Sequence, residues 1–247
     1  VITRWSEQQE RMVLENATKL VFPTVGLRDH FTNALEFYNT KSAVVPHSFD
    51  SSLYEVGKPK QIRNSMHLVA RLFGAFYGAR KPDVLFSAIA GMELGEDINF
   101  TLEVYGPWHP AYEELHKLRG VGVNRRIVYR GHVPHVEALR EMQDADLLVL
   151  VDAPGKGESF YLPSKLVDYM AARRPILALC REGVTRSIVK KLNGIVADPE
   201  DESSVHQGLE KWVKSRKDCF IANEDVLADH DAVKVGEKFR SLIREIV

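Results

Sequence analysis

From His67 onward, short apolar runs alternate with amphipathic ones, and no other property of the sequence restricts the fold as much. HLVARLF, INFTLEVYG, RRIVYRG, DLLVLVDA, PILALC and GIVADP read as strands. KPDVLFSAIAGM, PAYEELHKLRG, HVEALREMQDA, SKLVDYMAAR, VTRSIVKKL and ESSVHQGLEKWVKS read as the helices between and after them. A helix that carries the chain back between successive strands makes those strands parallel. DLLVLVDA is apolar almost throughout, so it is expected to be covered on both faces. The expected fold class is α/β, a Rossmann-like doubly wound parallel sheet. Ligands of such sheets bind beyond the carboxyl ends of the strands, so the loops after the strands are where chemistry is expected.

The first 60 residues follow a different order: the helix EQQERMVLENA, the short strand KLVFPT, the helix VGLRDHFTNALEFY and the strand or linker SAVVPHSF. The polar, turn-rich DSSLYEVGKPKQIRNS after them marks a boundary. The expected organisation is a partial α/β domain over residues 1–45, a linker over 46–66 and a full α/β domain over 67–247. Two strands and two helices do not close a sheet of their own, so the first piece either docks on the large domain or lacks a partner segment. The chain begins VITRW, without a methionine, which fits a processed chain or a piece of a longer protein.

Bulk properties remove several function classes. The chain is 45% apolar and 27% charged, so a packed core is expected. A net charge of −1 argues against nucleic-acid binding through a broad basic field and leaves only a local basic patch open. The two cysteines, Cys180 and Cys219, form no CxxC, which argues against a disulfide framework or a zinc site and for a reducing compartment. Cys180 ends the apolar PILALC and reads as a buried small hydrophobe. No apolar run approaches the roughly 18 to 20 residues of a membrane helix, and no signal peptide is visible.

Three stretches carry chemistry. FGAFYGARKP follows a strand and opens a helix, with Gly74, Gly78, Arg80 and Lys81. Glycines there let backbone N–H groups approach a ligand, and the helix start favours anions. The stretch is a phosphate site or a plain strand–helix turn with two solvated cations. It is neither a dinucleotide fingerprint nor a P-loop. ESFYLPSKLVDYM contains a helix start at Pro163, with Ser164 as a candidate cap. Lys165 lies in the first turn, where the helix dipole disfavours a cation, so an anion is expected nearby. Asp168 lies four residues after Ser164 on the same face, either accepting from a ribose diol or complementing the dipole. Glu158 is a lone loop acid that orients a polar ligand or is solvated. GHVPH holds His132 and His135, which read as a metal pair or, with Pro134 between them, as a loop that meets a ligand through its backbone.

Taken in order, VVPHSFD, GAFYGARKPDVLFSAI, VYGPWH, VYRGHVPHVEALREMQDADLLVLV, LPSKLVDYMAARRPILAL and NGIVADPED resemble the carboxyl-terminal half of a group 1 glycosyltransferase of the GT-B fold. The resemblance runs from about Glu10 to Trp212. It implies a domain that binds a nucleotide-diphosphate sugar. Gly74, Arg80 and Lys81 correspond to the loop that holds the diphosphate, joined by Pro163, Ser164 and Lys165 within the Tyr161–Ser164 loop and helix start. Asp168 corresponds to the ribose acid, Gly131, His132 and Val133 to the base-binding segment, and Glu158 to the catalytic, sugar-contacting acid. Many members place seven residues between the two acids. Here Glu158 and Asp168 have nine, and Phe160 stands at the strict position. An arginine often follows the first loop glycine, and here Ala75 stands there, leaving Arg80 for that work.

The resemblance further implies transfer with retention at the anomeric carbon and no metal or other cofactor beyond the donor. It implies a saccharide or lipid-linked acceptor held by an amino-terminal domain of which only residues 1–45 are represented. The parent is expected in the cytoplasm, peripheral to a membrane face where surface polysaccharide is built, and this piece alone is expected to bind donor without transferring sugar. The terminal AVKVGEKFRSLIREIV is expected to pack back toward the first domain. A nucleotide-sugar epimerase of the same fold and a non-catalytic interaction module are the alternatives.

Overall fold

The computed structural model describes residues 4–32, 36–54, 66–78, 80–112, 125–152, 157–215 and 223–246. The amino-terminal piece consists of α1 (Arg4–Asn16), β1 (Leu20–Phe22), α2 (Val25–Thr32), α3 (Glu36–Thr40) and β2 (Ser42–Val44). β1 and β2 pair in parallel and form their own two-stranded sheet. Leu20, Phe22 and Tyr38 make a small separate core. Of the helix expected over VGLRDHFTNALEFY, Val25–Thr32 and the residues from Glu36 on are helical, and 33–35 lie outside the described residues.

The main body holds β3 (His67–Phe73), α4 (Asp83–Gly91), β4 (Asn99–Tyr105), β5 (Arg125–Gly131), α5 (His135–Asp144), β6 (Leu147–Asp152), α6 (Ser164–Ala172), β7 (Ile176–Cys180), α7 (Val184–Lys191), β8 (Ile195–Ala197) and α8 (Glu202–Ser215). Its sheet has the order β5-β4-β3-β6-β7-β8, and every pairing is parallel. The expected doubly wound α/β sheet is therefore present. From β3 the chain builds outward to β5 on one side and, after returning through β6, to β8 on the other. The order reverses between β3 and β6. Of the helix expected over PAYEELHKLRG, only Pro110–Tyr112 lies within the described residues, and it is helical.

Side-chain alternation sorts the core into two layers. Leu68, Ala70 and Leu72 of β3 and Leu147 and Val149 of β6 face α4 and α8. Phe73, Tyr105, Leu148 and Leu150 face α5, α6 and α7. All six residues of β6 are buried, as its unbroken apolar run requires. Trp212 of α8 is fully buried against Phe100, with ring centroids 6.2 Å apart. Cys180 is buried, and burial pushes its thiol up to about 12. Cys219 lies outside the described residues.

β3 and β6 pair only from Ala70 to Leu72 and from Leu147 to Val149. Beyond that point the Phe73 N–H donates to the Tyr169 hydroxyl (3.0 Å), which donates to the Val149 carbonyl (3.1 Å). A side chain of α6 thus occupies the ladder where the two central strands diverge, and the cleft opens there.

The polar stretch after β2 is not a free linker at its start. Phe49 and Tyr54 are buried in the same core layer as Leu166 and Tyr169. The backbone of Phe49 accepts from Ala232 (2.9 Å) and donates to the His230 carbonyl (3.0 Å). Ser51–Leu53 form a short 3₁₀ turn capped by Asp50. The remainder, 55–65, lies outside the described residues. Two further helices, α9 (Glu224–Asp229) and α10 (Ala232–Arg244), close the chain. α9 escapes a sequence reading because it is short, although Asn223 caps it. After α10, Glu245 pairs with Lys19 of the amino-terminal piece at 2.9 Å. Among the described residues no helix is long and apolar enough to cross a membrane.

Candidate functional site

The carboxyl ends of β3, β4 and β5 are stitched together by backbone bonds that their glycines permit. Gly74 N–H donates to Tyr105 (2.8 Å), and Gly106 N–H donates to Gly131 (2.9 Å). Gly106 has φ +127°, and a Cβ there would lie 2.6 Å from the Gly74 carbonyl oxygen, so no other residue fits without moving the loop. Gly74, with φ +121°, is crowded in a different way: a Cβ would collide with the ammonium of Lys165. The cation of α6 therefore lies directly over the glycine turn after β3.

α6 begins at Ser164, with Pro163 in the N-cap position and no side-chain cap. Ser164 is thus the first helical residue and not the cap expected of it. Proline has no side chain that accepts a hydrogen bond, so the N-terminus stays open. α4, α5 and α7 likewise start without side-chain caps, at Pro82, Pro134 and Gly183. α9 and α10, which follow no strand of the sheet, are capped by Asn223 and Asp231. Four helix starts without a side-chain cap thus lie at the carboxyl end of the sheet, whereas at the start of α8 the Ser203 N–H donates to Asp201 at 2.9 Å; uncapped starts favour anions.

Lys165 is mostly buried and, among the described residues, has no carboxylate within ion-pair distance. Desolvation first, and the positive Arg80 second, pull its pKa below the ordinary lysine value, against the opposing pull of Asp152. Arg80 holds Asp152 at 3.2 Å and stacks on Tyr77. Asp152 ends β6, is almost wholly buried (1% exposed) and also accepts from Thr185 at 2.8 Å. Arg80 thus pairs with a buried carboxylate at the switch point of the sheet, and Lys165 stands nearby without a carboxylate partner of its own among the described residues.

Beside Lys165 opens a cavity of about 380 Å³, lined by Phe73, Gly74, Tyr105, Gly106, Pro107, His132, Val133, His135, Ala138, Met142 and Lys165. Phe73 and Tyr105 stack at 4.6 Å and give it a flat aromatic wall. The Tyr105 hydroxyl is anchored outside the cavity on Glu103 and Glu141, each at 3.1 Å. Although burial acts to raise it, Arg130 and Arg71 hold the Glu103 carboxyl below its ordinary range. Asp168 accepts from the Tyr54 hydroxyl at 2.8 Å, and its second oxygen lies 3.8 Å from His135.

Of the residues singled out in the sequence, Gly74, Lys165, His132 and Val133 meet around this cavity. Gly131 joins through its bond from Gly106, and Asp168 through His135. Arg80 stands behind Lys165, on Asp152. Lys81 is exposed and does not line the cavity. Glu158 is exposed on the loop after β6, while Phe160 of that loop stacks on His30 at 5.2 Å. Asp152, Tyr54, Tyr169 and the Phe73–Tyr105 wall were not read from the sequence. Only Asp152 left a trace there, as an acid ending an otherwise apolar strand. His132 and His135 both face the cavity. Among the described residues no group of three or more His, Cys, Asp or Glu side chains is arranged to hold a metal.

The family described as glycosyl transferases group 1 matches residues 69–215, from the third residue of β3 to the end of α8. The chain belongs to this family. The match covers the six-stranded sheet apart from His67 and Leu68, and every residue of the cleft described above except Tyr54. Solved structures of GT-B glycosyltransferases share the fold. HepE of Anabaena, in complex with UDP and glucose, superposes with a TM-score of 0.72 at 15% identity, over 97% of this chain and 66% of that one. Sucrose-phosphate synthase of Thermosynechococcus elongatus gives 0.72 at 17%, over 99% and 62%. A glycosyltransferase of Rickettsia africae gives 0.72 at 13%, over 97% and 67%. This group 1 chain thus spans 66% and 62% of the length of the first two of these structures. No curated protein sequence matches it.

Proposed function

We propose that this chain is the donor-binding part of a retaining glycosyltransferase, and that it takes a nucleotide-diphosphate sugar. One observation carries the proposal: the Lys165 ammonium seated over Gly74, beside a cavity with an aromatic wall. A cation that is desolvated, repelled by Arg80 and set at a helix N-terminus lacks a counter-charge that a diphosphate would supply. HepE, which shares the fold, has been solved with UDP, UDP-glucose, and UDP and glucose.

In the proposed pose the base enters between the Phe73–Tyr105 wall and Val133, beside Gly131 and His132. The ribose hydroxyls donate to Asp168. The diphosphate lies over Gly74 and the open start of α6, at Pro163, Ser164 and Lys165, with Arg80 behind. The sugar then extends toward the loop of Glu158. When the glycosidic bond to the diphosphate breaks, negative charge grows on the leaving oxygen. Lys165, Arg80 and the helix N–H groups are already oriented to stabilise it. Charge neutralisation is thereby assigned to the protein, and no step to a metal. The acceptor, a saccharide or a lipid-linked saccharide in surface polysaccharide synthesis at the cytoplasmic face of a membrane, is assigned to the part of the GT-B fold that this chain does not span. Lys81 keeps no direct role.

Asp168→Asn tests the pose. Titration calorimetry should show UDP or GDP affinity falling about tenfold or more, with pyrophosphate affinity nearly unchanged. Equal losses for nucleotide and pyrophosphate would remove the ribose contact.

A further inference from the structure

We propose that Tyr54 is a positioning residue for nucleotide recognition, fixing Asp168 from the strap that follows the amino-terminal piece, an assignment that rests on the donor site proposed above. The Tyr54 ring is buried in the core of the main body and packs edge-on to Phe49, with centroids 6.2 Å apart. Its hydroxyl reaches across 114 positions of sequence to donate to Asp168 Oδ1 at 2.8 Å. That bond leaves Asp168 Oδ2 on the His135 side, where the cavity opens. An aspartate in the first turns of a helix has other rotamers, several of them directed to solvent. A phenol fixed by core packing selects the one that presents a free carboxylate edge to the ligand, and so removes that ordering cost from binding.

Tyr54 stays a donor under all working conditions. Burial first, and the negative Asp168 second, raise its pKa far above neutrality. The strap itself is held independently of Asp168. Phe49 is bonded to His230 at the end of α9 and to Ala232 at the start of α10, and His230 contacts the His47 carbonyl through its ring at 2.8 Å. Removing one hydroxyl therefore leaves the strap in place.

The test uses the whole chain carrying Tyr54→Phe, which keeps the ring and its packing. UDP, GDP and pyrophosphate are titrated by calorimetry, with the 2′-deoxy form of whichever nucleotide binds. The expected result is a loss of about five- to tenfold in ribonucleotide affinity, with pyrophosphate unchanged and the preference over the deoxy form reduced. In an Asp168→Asn background the same substitution should have no further effect on nucleotide affinity. Unchanged nucleotide affinity in Tyr54→Phe would overturn the assignment while leaving the donor site standing. Equal weakening of nucleotide and pyrophosphate would overturn it too, as general loosening of the cleft. Failure of the wild-type chain to bind either nucleotide would remove the donor site itself and this assignment with it.

Discussion

Lys165 is where sequence and structure meet most closely. In the sequence it is a cation in a first helical turn, against the helix dipole. In the structure its ammonium lies over Gly74 with Arg80 nearby, and burial and that second cation lower its pKa. The unfolded chain therefore holds this proton to higher pH than the folded chain does. Stability should rise with pH between the two pKa values, where unfolding takes up a proton. Diphosphate binding needs the ammonium, so pyrophosphate affinity should fall over the same window. Calorimetry between about pH 7 and about pH 10, with Lys165→Met as the control, separates the two effects. The variant should bind weakly at every pH and lose the slope. Other residues were not legible one at a time. Asp152 reads only as the end of a strand, and Tyr54 sits in a stretch that reads as linker. Neither shows its role locally, because each acquires that role from a partner far away in sequence, Arg80 for one and Asp168 for the other.

At the scale of elements, the order of strands and helices was legible because burial imposes its period on the sequence: two for a strand, 3.6 for a helix. β6 shows its central position in composition alone. The divergence of β3 from β6 has no such mark, since it depends on one hydroxyl of α6 bridging Phe73 and Val149. Tyr169→Phe should leave that N–H and that carbonyl unpaired in the core. The expected cost is about 1 to 3 kcal/mol of stability, read as a lower midpoint in denaturant. It should be accompanied by weaker pyrophosphate binding, because α6 carries Lys165. A variant as stable as the parent would show that the bridge is not needed to hold the strands. The helix starts were half legible. Prolines at 82, 134 and 163 mark where helices begin, but only the structure shows that none of these starts has a side-chain cap.

At the scale of the molecule, the amino-terminal piece is tied to the main body at two ends. Thr24 donates to the Phe160 carbonyl at 2.6 Å, and Lys19 pairs with Glu245 after α10. The first tie falls on the loop between β6 and α6, so the same segment that leads to Lys165 also holds the first piece. Phe160 thereby has a packing role, stacked on His30. The large sheet and its cleft form one unit that could be read from the sequence in outline. The amino-terminal piece was readable only as two strands and two helices, too few to close a sheet. The central claim is that the cleft over Gly74 holds the diphosphate of a nucleotide through Lys165. The most direct measurement is calorimetric titration of UDP and of GDP into the wild-type chain and into Lys165→Ala. The expected result is one nucleotide bound per wild-type chain, and at least about tenfold weaker binding in the variant. A folded wild-type chain that binds neither nucleotide, or a variant that binds as well as the parent, would contradict it.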